Sequence, residues 1–250
     1  PADPARDARA WEPVVASLDD ICPRIEVAEP GRLAFPTRGP SRYFGGDEAM
    51  AALVARRTGA RIGIADGPFA ALLAARRGIV VPAGSTPSFL APLPVSALLA
   101  AGLPDDLVDV LARLGLGTLG AVAAVGEADV VGRFGADGVV AWRLAAGLDE
   151  RPPSTSAPPP DLAVRRELDP PVERVETAAF LARGLADELI GGLEGRGLAC
   201  TRLLVGAETE HGERLERLWR GTGAGAAAAL GAGAVADRVR WQLDGWLHGA

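Results

Sequence analysis

The chain has 250 residues, of which 48% are hydrophobic, so it can bury a sizeable core and is not disordered throughout. Its formal net charge of −6 argues against a protein that binds nucleic acid or membranes through bulk positive charge. All 26 basic residues are arginine, and neither Lys nor Asn occurs. A site that needs a lysine nucleophile, a Schiff base or a phosphate-loop lysine is therefore excluded.

The first part of the chain, residues 1–92, has the pattern of a mixed α/β structure. Its helical spacings and alternating apolar runs are separated by Gly and Pro, including a turn at 39–41. Helices are expected at 6–22, 48–58 and 69–77, and strands at 24–28, 32–36, 61–65 and 78–82.

Residues 93–151 contain no convincing strand and are predicted to form a small helical domain. Short helices joined by glycine turns are expected at 95–101, 104–114, 118–124, 127–134 and 136–147.

The stretch 111–120 reads as helix, glycine hairpin, helix. Thr118 can cap the second helix and leave free N–H groups facing outward, and such groups bind phosphate without a lysine. Gly115, Leu116, Gly117 and Thr118 are therefore candidate DNA contacts, although an ordinary glycine-turned helix pair fits equally well.

Residues 152–161 are rich in proline and predict a semi-rigid spacer. The part that follows, 162–250, shows the order β-α-β-β-α, one strand short of a split βαβ domain. We therefore expect truncation at the C-terminus, and the start at Pro1 without Met predicts a chain that begins inside a longer protein. Strands are expected at 162–168, 200–210 and 213–220, and helices at 177–195 and 235–247.

Most of the residue types that carry catalysis have simple structural roles. His211 falls in a predicted hairpin turn and His248 at a helix C-terminus, where the helix dipole favours it. Cys22 and Cys200 lack metal-ligand spacing and are predicted to be reduced core residues. Glu26 and Glu29 flank a strand end, the position of a two-metal site, but Ala28 lies between them. The sequence predicts no metal and no cofactor.

Seven segments carry a resemblance to a known family: 25–30, 38–46, 114–120, 147–152, 198–202, 208–214 and 239–246. Taken in order, they resemble the Y-family (translesion) DNA polymerases, most closely their ImuB-like accessory branch. The resemblance implies an α+β fold with a partial palm at 1–92, a helix-hairpin-helix thumb at 93–151 and a little finger at 162–250. It also implies that the N-terminal half of the palm is missing.

The departures from the family pattern bear on catalysis. Residues 26–29 stand where active members have S-x-D-E, so Ala28 replaces the metal-ligand Asp and only Glu29 keeps its acid. Pro68 and Leu72 occupy the two lysine positions of the family's G-[IV]-S-x-N-K-x-x-A-K stretch. Without these groups the site should not neutralise a transferring triphosphate, so the chain is predicted not to be an enzyme.

The resemblance implies an accessory protein of translesion synthesis and damage-induced mutagenesis. Its implied partners are primer–template DNA, an error-prone replicative-type polymerase, a sliding clamp and a RecA-related accessory, the last two bound mainly outside this chain. It also implies a cytoplasmic, nucleoid-associated protein; no run reaches the ~18 apolar residues of a membrane span. The alternatives are an active nucleotidyltransferase and a protein-interaction module without DNA affinity.

The arginines are unevenly distributed. Residues 1–92 hold 11 Arg and 10 acids, 93–162 hold 4 and 9, and 163–250 hold 11 and 13. The thumb-like segment would therefore rely on backbone N–H groups, whereas the little finger would use individually placed arginines, whose planar donors suit phosphate. The candidates are Arg165, Arg166, Arg202, Arg214, Arg217 and Arg220.

Overall fold

The computed structural model describes residues 4–22, 25–149 and 162–248. The proline-rich segment 152–161, predicted to be a spacer, lies outside the described residues. The helices are α1 Pro4–Ala16, α2 Arg38–Phe44, α3 Asp47–Thr58, α4 Pro68–Arg77, α5 Thr86–Leu90, α6 Asp105–Arg113, α7 Leu119–Ala123, α8 Glu127–Ala145, α9 Val175–Glu194 and α10 Ala232–His248. The strands are β1 Glu26–Glu29, β2 Arg32–Ala34, β3 Arg202–Glu208 and β4 Arg214–Arg220, and 3₁₀ turns form at Val95–Ala101 and Gly225–Ala228.

The chain divides into two compact units. Unit 1 comprises residues 1–35, 155–221 and 229–250, and unit 2 comprises residues 36–154 and 222–228. Each unit therefore combines segments that are distant in the sequence.

Unit 1 contains a four-stranded sheet in the order β2-β1-β4-β3. The β1–β2 and β3–β4 pairs are antiparallel hairpins, whereas β1 pairs with β4 in parallel, with Val27 opposite Trp219. Helix α10 packs against both α1 and α9. Val27 and Trp219 are buried, and Gln242 on α10 is fully buried beside them.

A polar network ties α10 of unit 1 to the sheet. The indole Nε1 of Trp219 donates to Oε1 of Gln242 at 2.9 Å, and Nε2 of Gln242 donates to the carbonyl of Val205 at 3.0 Å. Both ends of the buried amide are therefore satisfied, as a buried polar group requires.

Unit 2 is built around an apolar core in which helices lie close together. Leu90, Leu98, Leu119 and Val122 are fully buried in it. Gly120 is needed at the contact between α7 and α5, because a Cβ there would lie 2.9 Å from the carbonyl oxygen of Ala91. Close apolar packing, rather than a sheet, holds this unit together.

The predicted α+β fold class is confirmed, and most helices form close to their expected ranges. Two strand predictions, 61–65 and 78–82, reduce to a single parallel bridge between Ile64 and Val80. The turn expected at 39–41 is part of α2. The two helices expected at 127–134 and 136–147 form the two halves of α8, separated by the non-helical backbone of Gly135.

The strand predicted at 162–168 does not form. Strand β1 pairs with β4 along the edge that does not face β3, so the segment before α9 finds no ladder partner there. The division into palm-like, thumb-like and little-finger-like domains stays a prediction.

Candidate nucleic-acid interface

The hairpin between α6 and α7 has the local geometry that its glycines predict. Gly115 adopts a φ of +83°, which favours glycine, and the N–H of Leu116 donates back to the carbonyl of Leu111 at 3.0 Å. The Leu116 side chain packs against the apolar core of unit 2. Leu116 therefore anchors the loop on the core, while Gly115, Gly117 and Thr118 are exposed.

The start of α7 corrects part of the sequence interpretation. Thr118 caps the helix, and its hydroxyl accepts from the N–H of Ala121 at 3.2 Å. The N–H groups of Leu119 and Gly120, however, donate to the carbonyls of Leu93 and Ala91 at 2.8 and 3.0 Å. The first turn of α7 thus does not offer free donors, contrary to the expectation from sequence.

Two donors lie just before that turn instead. Within the described residues, the N–H groups of Gly117 and Thr118 have no acceptor in the protein. A Cβ added at Gly117 would meet nothing within 4 Å, so the space in front of the loop is open. These two adjacent donors are the groups in the hairpin that could meet a phosphate.

Arg202 and Arg220, both candidate DNA contacts, flank a buried carboxylate of unit 1. Nε of Arg202 lies 3.2 Å from Oε1 of Glu26, and Nη1 of Arg220 donates to Oε2 of Glu26 at 3.4 Å. The Glu26 side chain is only 1% exposed. This cluster joins three strands of one sheet, so both arginines have a structural role in the fold.

The next three arginine candidates are also paired. Arg217 is buried and donates to Glu12 of α1. Nε of Arg214 donates to Oε2 of Glu208 across the β3–β4 hairpin at 2.9 Å. Arg166 lies 3.3 Å from Glu188 on α9.

The sixth candidate, Arg165, differs from the other five. It is exposed, and its side chain forms no hydrogen bond or ion pair within the described part of the chain. A role in DNA binding for any of the six arginines stays a prediction.

The positions that resemble the family's metal site hold different chemistry. The carbonyl of Ala28 accepts from Nη2 of Arg238 at 3.2 Å, and Glu29 is half exposed and pairs with Arg32 at 3.2 Å. Among the described residues, no group of three or more His, Cys, Asp or Glu side chains is arranged to hold a metal ion.

Arg238 is a residue that the sequence analysis missed. It is 6% exposed, burial lowers its pKa, and its guanidinium lies 5.7 Å from the ring centroid of Trp241. The signal was present, because Arg238 and Gln242 fall on the same helical face as the buried Val235.

Asp149 is a second missed residue, and it closes the start of α4. Its Oδ2 accepts from the N–H of Phe69 at 2.7 Å, next to Pro68, which has no N–H. Gly67 has a φ of +95°, and a Cβ there would lie 2.4 Å from the Asp149 carboxylate. A carboxylate thus sits where the resemblance would place the lysine-bearing loop, at the positively polarised end of a helix.

Comparison with known proteins places the chain in a family. No family model matches it. The chain is 30% identical over 211 residues to Protein ImuB of Caulobacter vibrioides, a match covering 81% of this chain and 45% of that protein. It is 32% identical over 146 residues to DNA polymerase IV of Dehalococcoides mccartyi, covering 54% of this chain and 37% of that protein. The chain is an ImuB-like member of the Y-family DNA polymerases.

The chain spans less than half the length of these curated relatives. Among solved structures it is similar to DinB from Sulfolobus solfataricus, with a TM-score of 0.48 at 15% identity, covering 93% of this chain and 70% of that one. It is also similar to the Dbh ternary complex, with a TM-score of 0.47 at 14% identity, covering 97% of this chain and 73% of that one.

Within the described residues, no helix is both long and apolar enough to cross a bilayer.

Proposed function

We propose that this chain is part of a non-catalytic Y-family accessory protein that binds primer–template DNA during translesion synthesis and bridges it to a separate error-prone polymerase. The membership in the Y-family and the match to Protein ImuB over 81% of the chain carry this proposal. A sliding clamp and a RecA-related accessory are further proposed partners, bound mainly outside this chain.

The proposed lack of catalysis rests on side-chain chemistry. The methyl group of Ala28 cannot ligate Mg²⁺, and a two-metal mechanism needs converging carboxylates. Pro68 and Leu72 provide no cation for a triphosphate, and Asp149 adds a negative charge at the start of α4. These features favour an accessory role over the alternative of an active nucleotidyltransferase.

Primer extension by the natural protein tests this part of the proposal. With Mg²⁺ or Mn²⁺, a primed template and all four deoxynucleoside triphosphates, we expect no extension above background. Robust extension that disappears in the Glu29→Ala variant would establish the nucleotidyltransferase and end the accessory proposal. The Glu48→Ala variant, which changes an exposed acid on α3, controls for nonspecific loss.

The proposed DNA contact is made by backbone donors at the α6–α7 hairpin. Exposed N–H groups at Gly117 and Thr118 can bind phosphate without adding positive charge, which agrees with the acidic balance of residues 93–162. Arg165 is the proposed side-chain contact of the other unit. Few phosphates would be neutralised, so binding should be weak and its salt dependence shallow.

Fluorescence anisotropy with a labelled primer–template duplex tests this contact. Gly117→Glu places a carboxylate beside the two donors, and we expect it to weaken binding by about 3- to 10-fold, the effect of one or two exposed charge contacts. Gly39→Glu is the matched control, because a Cβ there also meets nothing within 4 Å. Equal loss in both variants would contradict a specific hairpin contact.

The pairing of five arginine candidates with carboxylates favours one alternative, a protein-interaction module without DNA affinity. The same titration separates the two functions. No binding of the natural protein at low salt would favour the interaction module.

A further inference from the structure

A groove on the surface of unit 2 lies between the start of α6 and the kinked part of α8. It has a volume of about 360 Å³, near the lower end of the range for ligand-binding clefts. Its apolar wall is formed by Pro104, Leu107, Val110 and Phe134. A cleft of this size accepts an anchor side chain rather than a whole folded surface.

The groove depends on the shape of α8. Gly135 breaks the helix with a φ of +60°, immediately after Phe134. One turn later, a Cβ at Gly138 would lie 2.4 Å from the Cβ of Phe134. The two glycines therefore set the position of the aromatic ring that lines the groove, and a larger residue at either would disturb it.

Carboxylates border the apolar wall. Asp106 and Asp137 line the groove itself, on α6 and α8 respectively. Residues 105–137 contain six acids but only two arginines, Arg113 and Arg133. The local net charge is therefore −4.

These acids differ from Glu12 and Glu26 of unit 1, which form ion pairs with arginines. All six are exposed, and none forms a salt bridge within the described residues. No arginine that could neutralise these acids is among the residues that line the groove. The acids are Asp105, Asp106, Asp109, Glu127, Asp129 and Asp137.

The charge decides what can occupy the groove. Nucleic acid would bring phosphates against unpaired carboxylates, which like-charge repulsion disfavours. The described side chains contain no group of three or more metal ligands, so a cation alone is not the occupant that they favour. A peptide with an apolar anchor between arginines or lysines satisfies both the apolar wall and the acidic border.

The geometry points to this groove as a docking site for a basic, apolar-anchored segment of another protein. The inference rests on the proposed accessory function and supplies a partner surface within the chain itself, on the same unit as the DNA-contacting hairpin. The partner segment inserts an apolar side chain against Phe134 and Leu107, and its basic residues meet Asp106 and Asp137.

Three labelled peptides test the chemistry of the site. The first carries a central Leu-Phe pair flanked by arginines, the second has glutamates for the arginines, and the third has glycines for the Leu-Phe pair. In anisotropy titrations of the natural protein we expect the first to bind, and the other two to bind at least about 10-fold more weakly. Raising the salt concentration should weaken the binding of the first peptide, because salt screens exposed charge pairs.

Two variants locate the site. Asp106→Asn with Asp137→Asn keeps the side-chain shapes, and an Asn at position 106 can still accept from the N–H of Leu107 as Asp106 does. We expect this double variant to bind the arginine peptide about 3- to 10-fold more weakly than the natural protein does. Phe134→Ala should weaken this binding as well. The control is Glu48→Gln with Glu194→Gln, which removes two exposed acids outside the groove.

Each outcome bears on the inference. Equal binding of all three peptides, or equal loss in the control and groove variants, overturns it. If the double variant leaves peptide binding unchanged and tightens duplex DNA binding, the acids serve to repel DNA and the docking site is rejected. Because peptide and DNA binding are measured separately, loss of the DNA signal alone contradicts the proposed function and not the groove.

Discussion

In unit 1 the carboxylate of Glu26 is buried, and that of Glu12 partly buried, against arginines. In unit 2 the six acids of residues 105–137 are exposed and lack ion-pair partners within the described residues. Unit 1 joins distant parts of the sequence through these polar contacts. Unit 2 is held by an apolar core and leaves its charge at the surface. Charged side chains thus take part in the tertiary contacts of unit 1, whereas those of residues 105–137 face solvent.

The largest effect should come from the apolar core of unit 2. Leu98 is fully buried, and Leu98→Ala should lower the free energy of unfolding by about 2–5 kcal/mol through lost burial and a residual cavity. The neighbouring Leu99 is 41% exposed, so Leu99→Ala is the matched control. Urea unfolding followed by the fluorescence of Trp142, in the same unit, measures both. Equal losses would mean that this core does not hold unit 2.

A smaller effect should follow from breaking the charge cluster of unit 1. Glu26→Ala leaves Arg202 and Arg220 facing each other without their carboxylate. Removing one member of a buried pair costs about 3–5 kcal/mol, and partial exposure of both arginines reduces the expected loss to about 2–3 kcal/mol.

The control for Glu26 is the exposed pair on the same sheet. Glu208→Ala breaks only the contact with Arg214, and should cost less than about 0.5 kcal/mol because solvent screens it. Trp219 fluorescence during urea unfolding reports on both variants, since Trp219 lies in the sheet. If Glu26→Ala costs no more than Glu208→Ala, charge is not structural in unit 1.

The cap of α7 should have an intermediate, local effect. Thr118→Ala removes the acceptor for the N–H of Ala121 and should cost about 1 kcal/mol, while Thr118→Ser keeps the hydroxyl. Hydrogen exchange at the Ala121 amide measures the change directly. Protection that is equal in the two variants would show that the cap does not stabilise the hairpin.

The sequence predicted features that depend on neighbouring residues. The glycine hairpin at 115–118, the β1–β2 hairpin and the long helices α9 and α10 follow from local spacing and turn chemistry. The replacement of the family's metal-ligand Asp by Ala28 rests on the resemblance and stays a prediction.

Features that depend on long-range pairing could not be predicted. Nothing in the sequence near residues 162–168 indicates that β1, rather than this segment, pairs with the edge of β4 that faces away from β3. Similarly, the arginines at 202 and 220 gave a pattern suited to phosphate, but their contact with Glu26 spans most of the sequence. Which arginines form ion pairs is decided by the tertiary structure. For the same reason, the sequence does not show that the acids of α6 and α8 lack ion-pair partners within the described residues.

The smallest expected effect concerns whether charge in unit 1 stabilises the fold or is only tolerated. Burial raises the pKa of the Glu12 carboxyl above its ordinary value of 4.5, while the guanidinium of Arg217 acts in the opposite direction. A raised pKa in the folded state means that the contribution of Glu12 is fully present below 4.5 and is lost as pH rises through the raised value. The free energy of unfolding of the natural protein, relative to Glu12→Gln, should therefore fall over this range and level off above it. Urea unfolding across a pH series, followed by Trp219 fluorescence, measures the difference. A difference that instead grows with pH would mean that pairing with Arg217 outweighs burial, so that the buried charge of unit 1 is itself stabilising.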